Sequence, residues 1–117
     1  MKEKLNNLFS TVDNMDVEGF VSFLTDDACF RFANSPVVYN KKNIRNVISD
    51  FFTSIKSLHH YIIDVWVDAN VLICEGKVTY TRHDDKKLTL PFVNIMRMQD
   101  ELIADYRIFI DLSALYA

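Results

Sequence analysis

The sequence is poor in the residues that interrupt regular structure. Its 117 residues include only two glycines and two prolines, whereas half are hydrophobic and 13% are aromatic. Disordered and low-complexity chains have the opposite balance, so we expect the whole chain to fold. The length suits one compact core, and we therefore predict a single domain over residues 1–117.

Basic clusters and long apolar runs are also lacking. The formal net charge is −3, and the pairs Lys41-Lys42 and Lys86-Lys87 are typical of solvated loops and helix ends, which argues against nucleic acid as a partner. No stretch approaches the length that spans a membrane, and no apolar run follows the charged N-terminus. We therefore expect no membrane segment, no signal peptide and a cytoplasmic location.

Cysteine is scarce, and histidine shows no metal-binding pattern. Cys29 and Cys74 are too far apart for a CxxC site and fit buried thiols in a reducing compartment. His59, His60 and His83 have neither HxH nor HxxxH spacing. The sequence therefore predicts no metal ion and no cofactor.

Apolar residues at helical spacing mark three helices. The first carries the stripe Leu5, Leu8, Phe9 and Val12, and a short second helix is expected after the N-cap Asp16. A break at Asp26-Asp27 and a strand over residues 28–33 come next. A long helix is then predicted over about residues 41–56, N-capped by Asn40, with these side chains facing inward: Ile44, Val47, Ile48, Phe51 and Phe52.

From Leu58 onward the spacing changes from helical to extended. Strands are predicted at residues 58–68, 71–82, 87–98 and 102–111, and their short Asp- and Asn-containing connections require antiparallel neighbours. Helices followed by a meander indicate an α+β fold, and strands of this length must curl. A curled sheet covered by helices leaves a conical cavity, where a ligand would be expected to bind.

Several segments resemble SnoaL-like proteins of the NTF2-like superfamily. They are residues 30–44 (FRFANSPVVYNKKNI), His60, Trp66, and residues 75–82 (EGKVTYTR), 90–92 (LPF) and 102–112 (LIADYRIFIDL). The resemblance implies a cone of N-terminal helices on a strongly curved, mostly antiparallel sheet, a pocket between them, and frequent homodimers. Its members include polyketide cyclases, ketosteroid isomerases and limonene epoxide hydrolase, so the resemblance implies no single reaction.

The family's catalytic acids and bases are not matched in this chain. Aligning Tyr106-Arg107 with the family places Ile108 where the cyclases and the epoxide hydrolase carry a carboxylate, and Lys77 and Thr79 do not restore the hydrolase's Arg and Asp. The isomerase base would fall near Asn34, which can form hydrogen bonds but cannot act as a base at neutral pH. These differences favour binding over chemistry.

The predicted site contains one acid/base candidate, His60, because an imidazole titrates near neutral pH. Six residues are expected to line the ligand pocket: Phe30, Phe32, Asn34, Trp66, Tyr106 and Ile108. The favoured function is binding of a small hydrophobic or amphipathic molecule. The alternatives are an isomerase or cyclase that uses His60, with Asn34 and Tyr106 as polar partners, and a dimerisation module without catalysis.

The last strand also predicts an interface. Alternation places Tyr106, Ile108 and Ile110 on one face and Asp105, Arg107, Phe109 and Asp111 on the other. The second face mixes an aromatic centre with charged neighbours, as interfaces between subunits do. We therefore expect a homodimer formed through the face of the sheet that does not line the pocket.

Overall fold

The computed structural model describes residues 2–117, and its helices precede most of its sheet. The first part of the chain forms α1 (Lys2–Asp13), α2 (Val17–Val21), β1 (Leu24–Phe32), β2 (Val38–Tyr39) and α3 (Lys41–Ser54). The remainder forms β3 (Ser57–Asp68), β4 (Val71–Thr81), β5 (Lys87–Gln99) and β6 (Leu102–Phe109). This order confirms the predicted α+β class. No described helix is long and apolar enough to cross a bilayer.

The strands form one curved, open sheet in the order β2-β1-β6-β5-β4-β3. The last four strands are the predicted antiparallel meander. β1 returns to pair with β6 in parallel, and β2 pairs with β1 antiparallel. The predicted cone of helices on a mostly antiparallel sheet is therefore confirmed.

The scarcity of glycine is visible at the hairpins of the meander. The three connections place Ala69, Asp85 and Asp100 in the left-handed region, with φ of 53°, 68° and 56°. Tight hairpins need a positive φ, which Asp tolerates better than most residues. The chain thus turns between long strands without using either of its glycines there.

Gly76 is needed where β3 and β4 come close together. It pairs with Ile62, and a Cβ at position 76 would meet the carbonyl oxygen of Tyr61 and the ring of Phe92. Directly after this contact, the β3 register shifts between Ile62 and Asp64. One extra residue in a strand exchanges the faces of every side chain that follows it.

The helix caps follow the sequence closely. Asp16 accepts a hydrogen bond from the Gly19 backbone N–H at 3.0 Å, and Asn40 accepts one from the Asn43 N–H at 3.2 Å. Both side chains thus satisfy N–H groups that have no partner within the helix, which confirms the two predicted N-caps.

Several predicted boundaries were wrong. Asp26 and Asp27 do not break the chain but lie exposed within β1, where its pairing with β6 is irregular. α3 ends at Ser54 because Ile55 is already extended, with φ −128° and ψ 159°. β6 ends at Phe109, two residues early, and β2 was not predicted.

α3 packs its apolar stripe toward the sheet. Ile44, Ile48 and Phe52 are buried as predicted. Val47 and Phe51 are less completely buried but still pack against the core, so the prediction that these residues are mostly buried is confirmed. These two residues lie at the edge of the stripe, beside a surface cleft that they help to line.

Candidate functional site

An apolar cavity of about 40 Å³ lies between the helices and the sheet. Its lining is largely aromatic and aliphatic, with four polar side chains. The lining residues are Phe9, Val12, Phe20, Phe30, Phe32, Ile48, Phe51, Phe52, Leu58, His60, Val78, Tyr80, Phe92, Asn94, Tyr106, Ile108 and Ile110. The few polar groups in such a wall determine which ligand orientations are favourable.

His60 on β3 is held by a carboxylate from α1. Its Nδ1 lies 2.6 Å from Asp13 Oδ1, and its backbone N–H donates to Asp13 Oδ2 at 3.0 Å. Because a carboxylate oxygen accepts hydrogen bonds, this contact assigns the hydrogen to Nδ1 and leaves Nε2 as an acceptor in the neutral ring. One carboxylate therefore fixes both the position and the tautomer of His60.

The side chains around His60 shield its ring from most of the solvent. Its side chain is 10% exposed, compared with 78% for the adjacent His59, which points to the other face of β3. Its ring lies 4.7 Å from the Phe9 ring and 5.4 Å from the Phe92 ring, measured between centroids. An imidazole at an apolar cavity wall is placed to exchange a proton with a molecule inside it.

The sequence analysis did not identify Asp13. It is 47 residues from His60, so no local motif connects the two. Asp13 follows Phe9 by four residues and therefore continues the apolar face of α1 with a charged group. A carboxylate at the end of an apolar stripe was the sequence signal for a buried polar contact. Its partner, His60, is brought to it only by the packing of α1 on β3.

A second buried polar pair joins β5 and β6. Asn94 is 1% exposed, and its Nδ2 donates to the Tyr106 hydroxyl at 3.1 Å. The other amide atom, Oδ1, is fully buried and has no hydrogen-bond partner among residues 2–117. The inward positions of β5 read Leu88, Leu90, Phe92, Asn94, Met96 and Met98, and this one polar residue in an apolar row was a signal that the sequence analysis missed.

Burial keeps the two tyrosines of the cavity protonated. Removal from water raises the pKa of Tyr106 well above its usual value, and the hydrogen bond from Asn94 opposes this only in part. Burial likewise raises the pKa of Tyr80. Both hydroxyls therefore remain hydrogen-bond donors over the physiological pH range.

The structure brings together most of the residues selected from the sequence. His60, Phe30, Phe32, Tyr106 and Ile108 all line the cavity. Ile108 occupies the inward face of β6 next to Asn94, with which it pairs across the sheet. The inward face predicted for the last strand is therefore correct.

Two expected pocket residues, Asn34 and Trp66, lie elsewhere, and these assignments are corrected. β1 ends at Phe32 and the chain turns at Ala33, where φ is 56°, so the alternation does not extend to Asn34, which is exposed in the turn. Trp66 follows the irregularity in β3, which moves it to the outer face, 51% exposed.

The outer face of β6 carries an ion pair. Arg107 Nε donates to Asp105 Oδ1 at 2.9 Å, and this contact raises the pKa of the guanidinium. Burial and the adjacent Asp105 raise the pKa of Cys29 on β1. Among residues 2–117, no three His, Cys, Asp or Glu side chains are arranged to hold a metal ion.

Solved structures share this fold at low sequence identity. TerC, co-crystallised with polyporic acid, has a TM-score of 0.85 and 15% identity, covering 97% of this chain and 93% of TerC. A protein with a ketosteroid isomerase-like fold from Catenulispora acidiphila, in complex with trimethylamine, has a TM-score of 0.86 and 12% identity. The match covers 93% of this chain and 85% of that protein. An LEH-like epoxide hydrolase from M. tuberculosis has a TM-score of 0.80 and 11% identity. The match covers 96% of this chain and 83% of the hydrolase.

No curated protein sequence matches the chain. The model of the SnoaL-like domain matches residues 5–106, which is most of the chain. That span includes both partners of each polar pair in the cavity, Asp13 with His60 and Asn94 with Tyr106. The resemblance noted in the sequence is thereby confirmed, and the chain belongs to the SnoaL-like domain family.

Proposed function

We propose that the chain binds a small, mainly apolar molecule in its cavity and that His60 transfers a proton on that molecule. The observation that carries this proposal is the contact between Asp13 and His60 at an otherwise apolar wall. Asp13 is a positioning residue that orients the imidazole, whereas His60 is the residue that meets the ligand. The reaction class is an isomerisation or cyclisation that starts by removing a proton next to a carbonyl group.

The chemistry requires only the groups that the chain supplies. His60 Nε2 accepts a proton from a carbon next to the ligand carbonyl, giving an enolate and an imidazolium. In an isomerisation the imidazolium returns the proton to another carbon of the enolate; in a cyclisation the enolate carbon bonds to a second carbonyl carbon of the same molecule, and the imidazolium protonates the alkoxide that forms. No oxidant, reductant or second substrate is needed. The Asp13 carboxylate stabilises the imidazolium formed between the two steps, because an opposite charge at hydrogen-bond distance favours the charged ring.

The related structures support this range of chemistry without selecting one reaction. One relative is an epoxide hydrolase, and two others hold small organic molecules, polyporic acid and trimethylamine. By the resemblance, Ile108 stands where the family carries a carboxylate on the last strand, and an isoleucine cannot move a proton. His60 on β3 would therefore take over the acid/base role from a different strand of the same cavity.

The test measures proton exchange and binding separately. The probe is cyclohexanone in D₂O, whose deuterium uptake next to the carbonyl is followed by proton NMR, while chemical shifts of the cavity methyl groups report affinity. We expect His60→Gln to slow exchange about 100-fold or more with nearly unchanged affinity. His59→Gln is the matched control, since His59 also lies near Asp13, at 3.5 Å, but faces solvent.

Two results would contradict the proton-transfer proposal. One is a wild-type exchange rate no faster than in buffer, and the other is an equal loss of rate in His59→Gln and His60→Gln. The second candidate function would then remain, namely binding without chemistry. It is favoured because Ile108, which lines the cavity, has no acid/base group at the position where the resemblance implies the family's carboxylate.

We further propose that the outer face of the meander joins two copies of the chain. The support is the set of apolar side chains there. Trp66 and Phe109 are each 51% exposed; Trp66 pairs with Ile73, which pairs with Ile95, and Phe109 pairs with Val93. Exposed aromatic groups on a flat sheet face are typical of subunit interfaces. The cavity lies on the opposite face of the sheet, so such a dimer would not cover it.

A further inference from the structure

We infer that Asn94 and Tyr106 form a subsite for a ligand hydroxyl group, so that the molecule in the cavity must carry a hydrogen-bond donor as well as an apolar body. This inference rests on the proposed binding function and adds the chemical class of the ligand: a phenol, an enol or an alcohol. It depends on an atom that has no hydrogen-bond partner within residues 2–117, Asn94 Oδ1.

The unpartnered oxygen is unusual for its location. Asn94 is 1% exposed, and buried side-chain oxygens in proteins nearly always accept a hydrogen bond. The hydrogen bond to Tyr106 is made by Nδ2 and leaves Oδ1 unpaired. An acceptor in a cavity wall is matched by a donor on whatever fills the cavity.

Tyr106 supplies the complementary half of the subsite. Its oxygen accepts the hydrogen bond from Asn94 Nδ2, which leaves its own hydrogen free to donate. The acceptor Oδ1 and the tyrosine hydroxyl therefore lie at the two ends of one short unit, the Asn94 amide and its hydrogen bond to Tyr106. A ligand hydroxyl can donate to the first and accept from the second, whereas a carbonyl or ether oxygen satisfies only the second.

A water molecule is the competing occupant. The cavity of about 40 Å³ has room for water, since one needs roughly 10–15 Å³. Around Asn94, however, the lining is mostly apolar, so a water there would gain the same two hydrogen bonds that a ligand hydroxyl gains. A hydroxyl attached to an apolar body reproduces those bonds and also fills the apolar space, so it displaces the water favourably.

The subsite is distinct from the acid/base group. His60 pairs with Val78 on β4, and Asn94 pairs with Cys74 on the same strand, four residues away. A ligand anchored by its hydroxyl at Asn94 therefore extends along the cavity toward His60. A ligand long enough to reach both groups would place its hydroxyl under β5 and β6 and its reacting carbon under β3.

Three one-ring probes of similar size test this inference on the intact protein. Phenol can donate and accept a hydrogen bond, anisole can only accept one, and toluene can do neither. Dissociation constants are measured by NMR titration of the cavity methyl groups. We expect phenol to bind about ten-fold more tightly than both toluene and anisole, since a buried acceptor disfavours ligands that leave it unpaired.

The matched variant is Asn94→Leu, which keeps the size of the side chain but removes both amide atoms. It should bind toluene at least as tightly as phenol and so abolish the preference. Because the wild-type series alone decides whether a donor is required, the result does not depend on the stability of the variant.

The outcomes separate this inference from the proposed function. If phenol, anisole and toluene bind equally, or if phenol keeps its advantage in Asn94→Leu, the hydroxyl subsite is wrong while the binding cavity stands. If a permanently bound water keeps Asn94 Oδ1 occupied in the phenol complex, the inference is also wrong. If none of the probes binds, the cavity is not a binding site, and both proposals fail together.

Discussion

The ring of Phe51 on α3 meets the ring of Phe32 on β1 nearly edge to face, with centroids 4.7 Å apart and planes at 72°. Both side chains line the central cavity and also a surface cleft of about 190 Å³, which Pro36, Val38 and Tyr116 border on its far side. The two rings thus separate a cavity too small for a large ligand from a space open to solvent. Ligand pockets usually hold roughly 300–1,000 Å³, so even a one-ring ligand must move this partition.

The first prediction concerns that partition. Phe51→Ala should join the cavity to the cleft and increase the affinity for a two-ring probe, 2-naphthol, about ten-fold, measured by its fluorescence. The lost ring contacts should lower the free energy of unfolding by about 1–3 kcal/mol, less than for a fully buried phenylalanine. Tyr61→Ala is the control, because Tyr61 is 66% exposed on β3. Equal 2-naphthol affinity in a folded Phe51→Ala variant would show that Phe51 does not limit access.

The second prediction concerns Asp13 as a positioning residue. Asp13→Asn should reduce the rate of cyclohexanone proton exchange by about ten-fold or more, with little change in probe affinity, because the amide no longer holds Nδ1 as a donor or stabilises the imidazolium. The ¹⁵N chemical shifts of His60 should change at the same time, which a purely structural contact would not require. Asp16→Asn is the matched control, since Asn also caps helices well. An unchanged His60 tautomer in Asp13→Asn would contradict this role.

The third prediction concerns alkaline pH. Burial raises the pKa of Cys74 from 9.0 to about 12, so between these pH values the folded state keeps the thiol proton that the unfolded state releases. Stability should therefore fall as pH rises through this window, by about 1.4 kcal/mol per pH unit for one such group. Burial also raises the pKa values of Tyr106 and Tyr80. Above pH 10 these two hydroxyls therefore lower the stability of the folded state further as the pH rises.

Cys74→Ala tests that contribution. In urea unfolding under reducing conditions, the decrease in stability between pH 9 and pH 10 should be smaller in Cys74→Ala than in the wild type. Cys29→Ala serves for comparison, because Cys29 is only half-buried and should account for less of the decrease. An identical pH dependence in Cys74→Ala and the wild type would show that the thiol does not contribute.

The fourth prediction concerns the outer face of the sheet. Sedimentation should detect a dimer of the wild type, and Phe109→Glu should convert it to a monomer, because a buried, unpaired carboxylate is unfavourable in an apolar interface. Tyr116→Glu is the control, since Tyr116 is equally accessible but lies on the C-terminal segment, where its hydroxyl contacts Ser54. A wild type that sediments as a monomer at high concentration would exclude this interface.

The sequence by itself determined the elements and the inward face of most of them. Apolar residues at helical or alternating positions define α1, α3 and the meander because the periods of a helix and a strand are fixed by backbone geometry. Local hydrogen bonding likewise made the caps at Asp16 and Asn40 predictable. The same local logic correctly placed Tyr106, Ile108 and His60 on the cavity side.

Tertiary structure decided what local patterns cannot encode. The irregularity in β3 turned Trp66 outward, since one additional residue reverses the alternation and its location depends on the close contact with Gly76 in the neighbouring strand. The pairing of Asp13 with His60 and of Asn94 with Tyr106 arose from elements that meet only in the folded chain. Periodicity tells which way a side chain points, whereas the packing of α1 on β3 and of β5 against β6 determines which polar groups meet there.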